Sequence, residues 1–358
     1  YLVNLADFNG DGIPEVYRGN TIYNARNGKM LVTGNDGAGC NLYQVAGDCG
    51  VAHTIAADLL PSPGLELAAG NTVYQITITN TNGTAGNTIT ATTANSPVKD
   101  GFTSVGDIDN DGQLDIIVVR NRQYANGGGV WVWNPRTRAM IASATAGITG
   151  GVAFVGNVAG DCHPEIGVNF EDELIMYQYD GTTALRILYN LNTTDGSGYT
   201  GVTMFDFNQD GFNELVYRDE TFLRIMEGNT GKTLASYPIR NGTGMEYPVV
   251  ADVDGDGQAE IMVSGYTTSA SQQRLFCFES GGAPWAPARA VWNQPGYHVT
   301  NINDDLTIPR NPQNQATALI GYQNCLLPTC PAPYNAFMTQ ATFRTQEGCV
   351  QFPFLLLA

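Results

Sequence analysis

The stretch DIDNDGQLDI, residues 107–116, places four aspartates within nine positions and a glycine at the sixth. Carboxylates this close repel one another unless a cation lies among them, and oxygens at alternate positions of a tight loop can all point inward. The glycine permits the sharp turn that such a loop requires. Carboxylate and carbonyl oxygens are the ligands of hard cations such as Ca²⁺. The stretch therefore predicts a cation-binding loop.

The residues after the loop show which kind of calcium motif this is. An EF-hand needs a bidentate Glu at position 12 and a helix on each side, but position 12 here is Val118. The loop leads into IIVV, a β-branched run that predicts a buried strand. We therefore predict a strand-loop-strand calcium motif.

The loop is repeated along the chain. Its first positions fall at 7, 58, 107, 157, 206, 252 and 301, about 50 residues apart; we number the loops one to seven. The strong copies besides loop three are DFNGDGIPEV (7–16), DFNQDGFNEL (206–215) and DVDGDGQAEI (252–261). The weak copies are DLLPSPGLEL (58–67), NVAGDCHPEI (157–166) and NINDDLTIPR (301–310), and each of them lacks a ligand or the glycine. A fixed period of this length indicates a repeat architecture.

Each repeat reads as four short strands with turn residues between them, and four antiparallel strands make one propeller blade. Seven such units nearly fill 358 residues. We predict an all-β, single-domain, seven-bladed β-propeller of four-stranded antiparallel blades, starting near residues 1, 52, 101, 151, 200, 246 and 295. Residues 311–358 contain three cysteines and no cation loop. They either supply outer strands of the seventh blade, which close the ring, or form an appendage on six or seven blades.

Charge and cysteine usage limit the function classes. The chain has 34 acidic and 17 basic residues, a net charge of −17, and 14 of the acids lie in the four strong loops. This acidity argues against nucleic acid as a partner, and the final FPFLLLA is too short to cross a bilayer. Cys40 with Cys49, and Cys325 with Cys330, have spacings that allow local disulfides, as in an oxidising, extracellular location. Cys277 is expected to be a small buried side chain.

The repeated D-x-[DN]-x-D-G-x-x-[DE] loop resembles the FG-GAP or VCBS repeat, the blade unit of integrin α-subunit propellers and of many bacterial surface proteins. The resemblance implies about four bound Ca²⁺ ions, held by side chains at positions 1, 3, 5 and 9 and by the carbonyl at position 7. The implied ligands are Asp7, Asn9, Asp11, Ile13 and Glu15; Asp107, Asp109, Asp111, Gln113 and Asp115; Asp206, Asn208, Asp210, Phe212 and Glu214; and Asp252, Asp254, Asp256, Gln258 and Glu260. Affinities of about 10⁻⁴ to 10⁻³ M are expected for extracellular calcium loops.

Two further stretches, residues 58–74 and 284–310, are similar to propeller segments of large surface adhesins that gliding bacteria export by type 9 secretion. The chain opens within a repeat, so we expect a segment of a longer secreted protein. The resemblance implies an extracellular, surface-displayed module whose partner is a cell-surface protein or glycan, or a copy of itself.

The search for catalytic residues is negative. His53, His163 and His298 lie in different repeats, and no G-x-S-x-G motif occurs. Trp285 and Trp292 lie in a proline-rich stretch where a carbohydrate contact is conceivable. The prediction is a non-catalytic adhesion module that binds its ligand on the face away from the cation loops. A self-assembling structural block is the alternative, and a polysaccharide lyase or a lectin is the less favoured class.

Overall fold

The computed structural model describes residues 2–40, 51–95, 97–120, 128–145, 150–161, 163–317 and 335–342, and the backbone of 44–45, 48–49, 146 and 356–357. Apart from a short 3₁₀ helix at Val299–Asn301, all regular structure in these residues is β. No helix in this part of the chain is long and apolar enough to cross a membrane.

The described strands form six four-stranded antiparallel sheets and one two-stranded ribbon. Sheet one contains β1 (Asn4–Ala6), β2 (Glu15–Arg18), β3 (Thr21–Asn24) and β4 (Met30–Thr33); the ribbon contains β5 (Gln44–Val45) and β6 (Asp48–Cys49); sheet two contains β7 (Ile55–Ala57), β8 (Glu66–Ala69), β9 (Thr72–Thr77) and β10 (Thr88–Thr93); and sheet three contains β11 (Phe102–Gly106), β12 (Asp115–Arg120), β13 (Gly128–Trp133) and β14 (Met140–Ala146). Sheet four contains β15 (Phe154–Gly156), β16 (Glu165–Phe170), β17 (Glu173–Tyr179) and β18 (Leu185–Asn192); sheet five contains β19 (Val202–Phe205), β20 (Glu214–Arg218), β21 (Phe222–Met226) and β22 (Thr233–Pro238); and sheet six contains β23 (Val249–Ala251), β24 (Glu260–Gly265), β25 (Arg274–Ser280) and β26 (Leu356–Leu357).

The sheets are arranged as propeller blades. The first strands of sheets two to six pack on one another in chain order, β7 on β11, then β15, β19 and β23. Sheet one joins sheet two through the Asn4 side-chain amide, which donates to the carbonyl oxygen of Thr54 at 3.1 Å. Every sheet has the same strand order from the centre outward. All connections from first to second strand therefore emerge on one rim, and these connections are the predicted cation loops.

In the described part of the chain, residues 281–317 occupy the ring position between sheets six and one, and they contain no strand. Arg289 accepts a backbone hydrogen bond from Asp252 of sheet six at 3.1 Å, and the Gln294 side chain accepts one from Leu5 of sheet one at 2.8 Å. Val291, Tyr297 and Ile302 form a small apolar cluster in this segment. The rest of a seventh blade would fall in residues 318–334 and 343–355, which lie outside the described residues.

The centre of the ring is filled by residues 335–342, which we call the axial segment. Phe337 forms two backbone hydrogen bonds with Val155 of β15, at 2.9 and 3.0 Å, and Thr339 bridges Met204 of β19. The Gln340 side chain donates to the carbonyl oxygen of Val250 in β23 at 2.9 Å. Phe337 has no exposed surface. The axial segment thus ties the inner strands of three successive sheets to one another and occupies the axis with packed side chains.

Several side chains lie elsewhere than the sequence suggested. Trp285 is buried in the core of sheets five and six, so it presents no surface to a carbohydrate. Cys277 is exposed, contrary to the prediction that it is buried, because alternate side chains of β25 point to opposite faces and the neighbouring Phe278 takes the core face. The predicted disulfide pairs each include a residue whose side chain lies outside the described part of the chain, so they stay predictions.

Candidate metal sites

The four strong loops share one backbone conformation. Position 6 is a glycine with positive φ in each: Gly12 (87°), Gly112 (84°), Gly211 (95°) and Gly257 (93°). Position 4 is also left-handed, at Gly10, Asn110, Gln209 and Gly255. Asn is among the few non-glycine residues that adopt this conformation readily. The chain therefore turns twice within six residues, which brings positions 1, 3 and 5 to one side of the loop.

In loop three the first aspartate organises the turn. One carboxylate oxygen of Asp107 accepts the backbone N–H of Asp111 at 3.0 Å, and the other accepts that of Gly112 at 2.8 Å. The carboxylate of Asp115, the first residue of β12, accepts the backbone N–H of Ile108 at 3.0 Å. Equivalent bonds occur in loop one, where Gly12 donates to Asp7 at 2.7 Å and Phe8 to Glu15 at 3.0 Å. Hydrogen bonds from backbone N–H groups thus hold the side-chain carboxylates at positions 1 and 9 in place without the help of an ion.

Three carboxylates converge in loop three and again in loop six. Each residue of the sets Asp107, Asp109, Asp115 and Asp252, Asp254, Glu260 offers one oxygen, and within a set these oxygens all lie within 4.8 Å of one another. The ninth-position acid is buried in both sets. Asp115 Oδ1 and Glu260 Oε1 are buried and have no hydrogen-bond partner among the described residues. These unmatched anionic oxygens, surrounded by other hard oxygens, fit a divalent cation.

Burial perturbs these acids in one direction. Removal from water raises the pKa of Glu260 to about 7 and that of Asp107 to about 6, and neighbouring carboxylates add to both shifts. Burial also holds the pKa of Asp115 well above its usual range. Desolvation and like charge both disfavour the ionised form. The loops therefore present carboxylates whose ionised form is costly without a positive charge beside them.

Loops one and five carry Asn at position 3. In these loops the Asn side-chain amide lies beside the ninth-position glutamate. The side-chain amide of Asn9 lies 3.5 Å from Glu15 Oε1, and that of Asn208 lies 3.4 Å from Glu214 Oε1. The amide oxygens of the same Asn residues accept backbone N–H groups of Asp11 and Asp210, each at 2.9 Å. Each loop keeps three carboxylates and one amide, a donor set that also suits a hard cation.

The structure separates the weak loops from one another. In loop two Ser62 Oγ donates to Glu66 Oε1 at 2.8 Å, so a hydroxyl satisfies the acid. In loop four Glu165 Oε1 is buried without a partner among the described residues, and burial raises the pKa of Glu165 to about 7. Loop four thus keeps the unmatched oxygen of the strong loops although Ala159 stands at position 3. The sequence signal for this difference is Ser62, a hydroxyl at position 5.

Loop seven lies beside a protein cation. The guanidinium of Arg289 donates to Asp304 Oδ1 at 2.7 Å, to the carbonyl oxygen of Ile302 at 2.8 Å and to that of Val299 at 2.9 Å. It donates to the Tyr297 hydroxyl at 3.2 Å as well. At this ring position the positively charged guanidinium of Arg289 therefore contacts the loop oxygens. Sequence reasoning missed Arg289, because it precedes the loop by twelve residues and nothing in the repeat period connects the two.

Two of the three histidines lie beside the axial Phe337: the ring centroids of His53 and His298 are 6.0 and 6.4 Å from that of Phe337. His53 and His298 are both buried, and burial lowers the pKa of each to about 4. His53 Nδ1 lies 2.8 Å from the carbonyl oxygen of Thr103. His163 is exposed in loop four, with Nδ1 2.9 Å from the Asn110 side-chain amide of loop three. Among the described residues, the three imidazoles form no shared cluster.

Comparison with known proteins agrees with this geometry. Residues 206–263 match the model of an FG-GAP-like repeat, and residues 102–133 match the model of the FG-GAP repeat. These matches cover loops five and six and loop three. The comparison with curated protein sequences gives no match.

Among solved structures, the chain is similar to the V. cholerae biofilm matrix protein Bap1, with a TM-score of 0.64 and 16% sequence identity over 98% of this chain and 77% of that one. It is also similar to the rhamnogalacturonan lyase YesW (TM-score 0.43, 13% identity, 77% of this chain and 62% of that one) and to an Agrocybe aegerita lectin specific for terminal N-acetylglucosamine (TM-score 0.37, 14% identity, 73% and 74%). The last two TM-scores are below 0.5, so only the first bears on the fold. The fold is a β-propeller that contains FG-GAP repeats at residues 102–133 and 206–263, and its loops include acidic clusters that could hold a metal ion.

Proposed function

We propose that this propeller is a non-catalytic, calcium-stabilised module of a larger extracellular protein, and that it binds a ligand at the cell surface. The observation that carries the proposal is the division of the molecule into a filled axis and a rim of repeated oxygen-rich loops. Phe337 and its neighbours occupy the position where an open channel would otherwise offer a deep pocket. Ligand binding is then left to the surfaces of the ring.

Calcium is the ion that the loops fit best. Carboxylate, amide and carbonyl oxygens dominate the four strong loops, and Ca²⁺ takes six to eight such ligands in flexible geometry. When bound, the ion would supply positive charge among carboxylates whose ionised form burial disfavours. The loop residues do the rest: Asp107 holds the turn through two backbone N–H groups, and Asp115 anchors the loop to β12. Calcium would therefore stabilise the folded form by mass action.

The non-catalytic part of the proposal is supported by where the titratable groups lie. His53 and His298 are buried and neutral at physiological pH, since their pKa values are about 4. The carboxylates with raised pKa values that lie in the loops are already engaged by backbone N–H groups. Neither set forms a nucleophile and base within hydrogen-bond reach of each other.

An extracellular location at the cell surface, and export of the type 9 kind, belong to the proposal. The net charge of −17 suits a protein that binds calcium outside the cell. The structural relative with the TM-score of 0.64 is a biofilm matrix protein, and an extracellular matrix role is in keeping with the proposal.

The test is binding of the purified, fluorescently labelled chain to a glycan array and to whole bacterial and host cells, in calcium and in EGTA. We expect saturable binding to a cell surface that weakens in EGTA. Release of unsaturated sugars from a polysaccharide panel would contradict the non-catalytic assignment. Absence of binding to every cell and glycan in calcium would contradict the adhesion role.

A self-assembling structural role is the second candidate, and one feature of sheet six favours it. Leu275 of β25 is 69% exposed, and Cys277, two positions further along the same face of the strand, is exposed as well. An exposed sheet face with apolar side chains can contact another chain. Ordered oligomers in sedimentation, lost on substitution Leu275→Lys, would support this role over adhesion.

A further inference from the structure

A cleft lies on the cation-loop rim at the ring position between sheets six and one, where the described residues form no strand. Arg289 hydrogen bonds to Asp252 of loop six, and Arg310 donates to the Asp11 carbonyl oxygen of loop one at 3.1 Å. Residues 299–313 between these contacts contain no strand, and they line much of a cleft of about 400 Å³. This volume is within the range of pockets that bind small ligands.

The floor of the cleft is rigid. Arg289, Val299, Ile302 and Ala341 line it and all are buried. Arg289 donates four hydrogen bonds to protein oxygens, which hold the surrounding backbone in place. The floor therefore needs no ligand to become ordered.

The walls of the cleft carry neutral polar groups. Thr300, Asn303, Asn311 and Gln313 line it and offer hydroxyl and amide groups that both donate and accept hydrogen bonds. The last three are exposed. Pro309, Pro312 and Val299 add apolar surface between them. Hydroxyl-bearing ligands with C–H faces match such an alternation of amides and apolar patches.

The charge of the cleft is balanced. Among the residues that line the cleft, Asp304 provides the one carboxylate and Arg289 the one guanidinium. Arg289 Nε and Asp304 Oδ1 form a salt bridge at 2.7 Å. The Asp304 side chain is still 74% exposed, so it can accept further hydrogen bonds. An anionic ligand would meet Asp304 before Arg289, and a cationic ligand would find its carboxylate already paired. Both charged classes are therefore disfavoured relative to a neutral polyhydroxylated ligand.

We infer that this cleft binds a neutral saccharide, with Asn311, Gln313 and Asp304 as hydrogen-bonding residues. The inference deepens the proposed function and rests on it, since it names a ligand class and a site for the adhesion module. It places the site on the cation-loop rim, whereas the sequence had suggested the opposite face.

The experiment uses the whole chain in calcium, a glycan array that contains neutral, uronic and sialylated oligosaccharides, and titration calorimetry with the best neutral oligosaccharide. The test variant is the double substitution Asn311→Ala with Gln313→Ala, both at exposed positions that should leave folding intact. The control is Gln273→Ala, an exposed glutamine just before β25 that does not line the cleft. We expect at least a tenfold loss of affinity in the double variant and less than a twofold change in the control.

Three outcomes would overturn the inference. These are binding of acidic glycans only, binding of an unstructured peptide in place of glycans, and equal affinity of the wild type and the double variant. If the chain adheres to cells and the double variant adheres equally well, the cleft assignment fails while the proposed function stands. If the chain adheres to no cell or glycan, both fail together. Circular dichroism and melting of each variant exclude loss of folding as the cause.

Discussion

Calcium removal is the perturbation that most directly tests the structural reasoning. Four strong loops each present a set of hard oxygens, and each ion stabilises the folded form by RT ln(1 + [Ca²⁺]/Kd). With a Kd between about 10⁻⁴ and 10⁻³ M, about 10 mM calcium contributes about 1.4 to 2.7 kcal/mol per site. Four sites together contribute about 6 to 11 kcal/mol.

This stabilisation converts into a melting shift. Unfolding entropy scales at about 2.1 cal/mol/K per residue, which for 358 residues gives about 0.75 kcal/mol/K. We therefore expect the Tm in calcium to exceed the Tm in EGTA by about 8 to 15 °C. The assay is differential scanning calorimetry at fixed ionic strength, with magnesium as the control cation.

A substitution in loop three sharpens the test because the variant and the wild type are expected to rank differently by Tm in EGTA and in calcium. Asp115 is fully buried, and burial raises its pKa well above the usual range. Asp115→Asn removes this poorly solvated charge and one ligand. In EGTA the variant should melt at or above the wild type, whereas in calcium its gain should be smaller by one site, about 2 to 4 °C. The matched control is Asp305→Asn in loop seven, whose acid accepts a hydrogen bond from Thr307 and has no predicted ion.

Two results would refute the reasoning. One is a wild-type melt that EGTA leaves in place at physiological salt. The other is an equal calcium-dependent increment in Asp115→Asn and Asp305→Asn, since the increment would then not arise in loop three.

Three further predictions concern the core and the protein cation. Phe337→Ala should destabilise the fold by about 3 to 5 kcal/mol, which lowers the Tm by about 4 to 7 °C, because Phe337 is fully buried in the axial segment. The control Phe222→Ala, at a 37% exposed position, should lower the Tm by less than half as much. Equal shifts would show that the axis is not packed. Arg289→Gln should lower the Tm by about 4 °C or more, since it leaves buried carbonyl oxygens without donors. The rise in Tm on adding calcium should be unchanged in this variant. Loss of that rise would mean that Arg289 acts on the ion sites. His298→Gln should flatten the fall of stability with acid: the folded-state pKa of His298 and of His53 is about 4, against the ordinary 6.5, so stability is complete above pH 6.5 and falls toward pH 4 by about 1.4 kcal/mol per pH unit for each histidine. Urea unfolding between pH 5 and 6.5 should show the variant losing about 2 kcal/mol less than the wild type, and identical slopes would contradict the assignment.

The fold could be predicted from the sequence because its signal is repeated. A single DIDNDGQLDI has several interpretations, but copies at a period of about 50 residues leave few architectures. The strands of sheets one to six follow from the same pattern, since each loop separates an inner strand from a second strand that begins at the ninth-position acid, as β12 begins at Asp115.

The parts that sequence reasoning missed lack a repeat. The axial segment pairs with β15 across 182 positions, from Val155 to Phe337, and no local pattern encodes such a contact. Arg289 reads as an isolated basic residue in a proline-rich stretch. The prediction for Cys277 was wrong because Leu275–Phe278 are all apolar, so the pattern did not show which face of β25 is buried. In each case the deciding information is which residues meet in space.

The ions and the axial segment stabilise the ring in different ways. Each predicted ion ties one loop between two strands of a single sheet, so its effect is local. In repeat proteins each unit contacts only its neighbours, and a ring of such units can lose one blade without losing the others. The axial segment contacts the inner strands of sheets four, five and six and, at Val291, the ring position between sheets six and one, so opening any one of these breaks contacts with the axial segment. We therefore expect the axial segment to make unfolding of the ring cooperative, and calcium to set the temperature at which the ring unfolds. Because neither effect depends on the residues that contact a ligand, those residues can vary without loss of the fold.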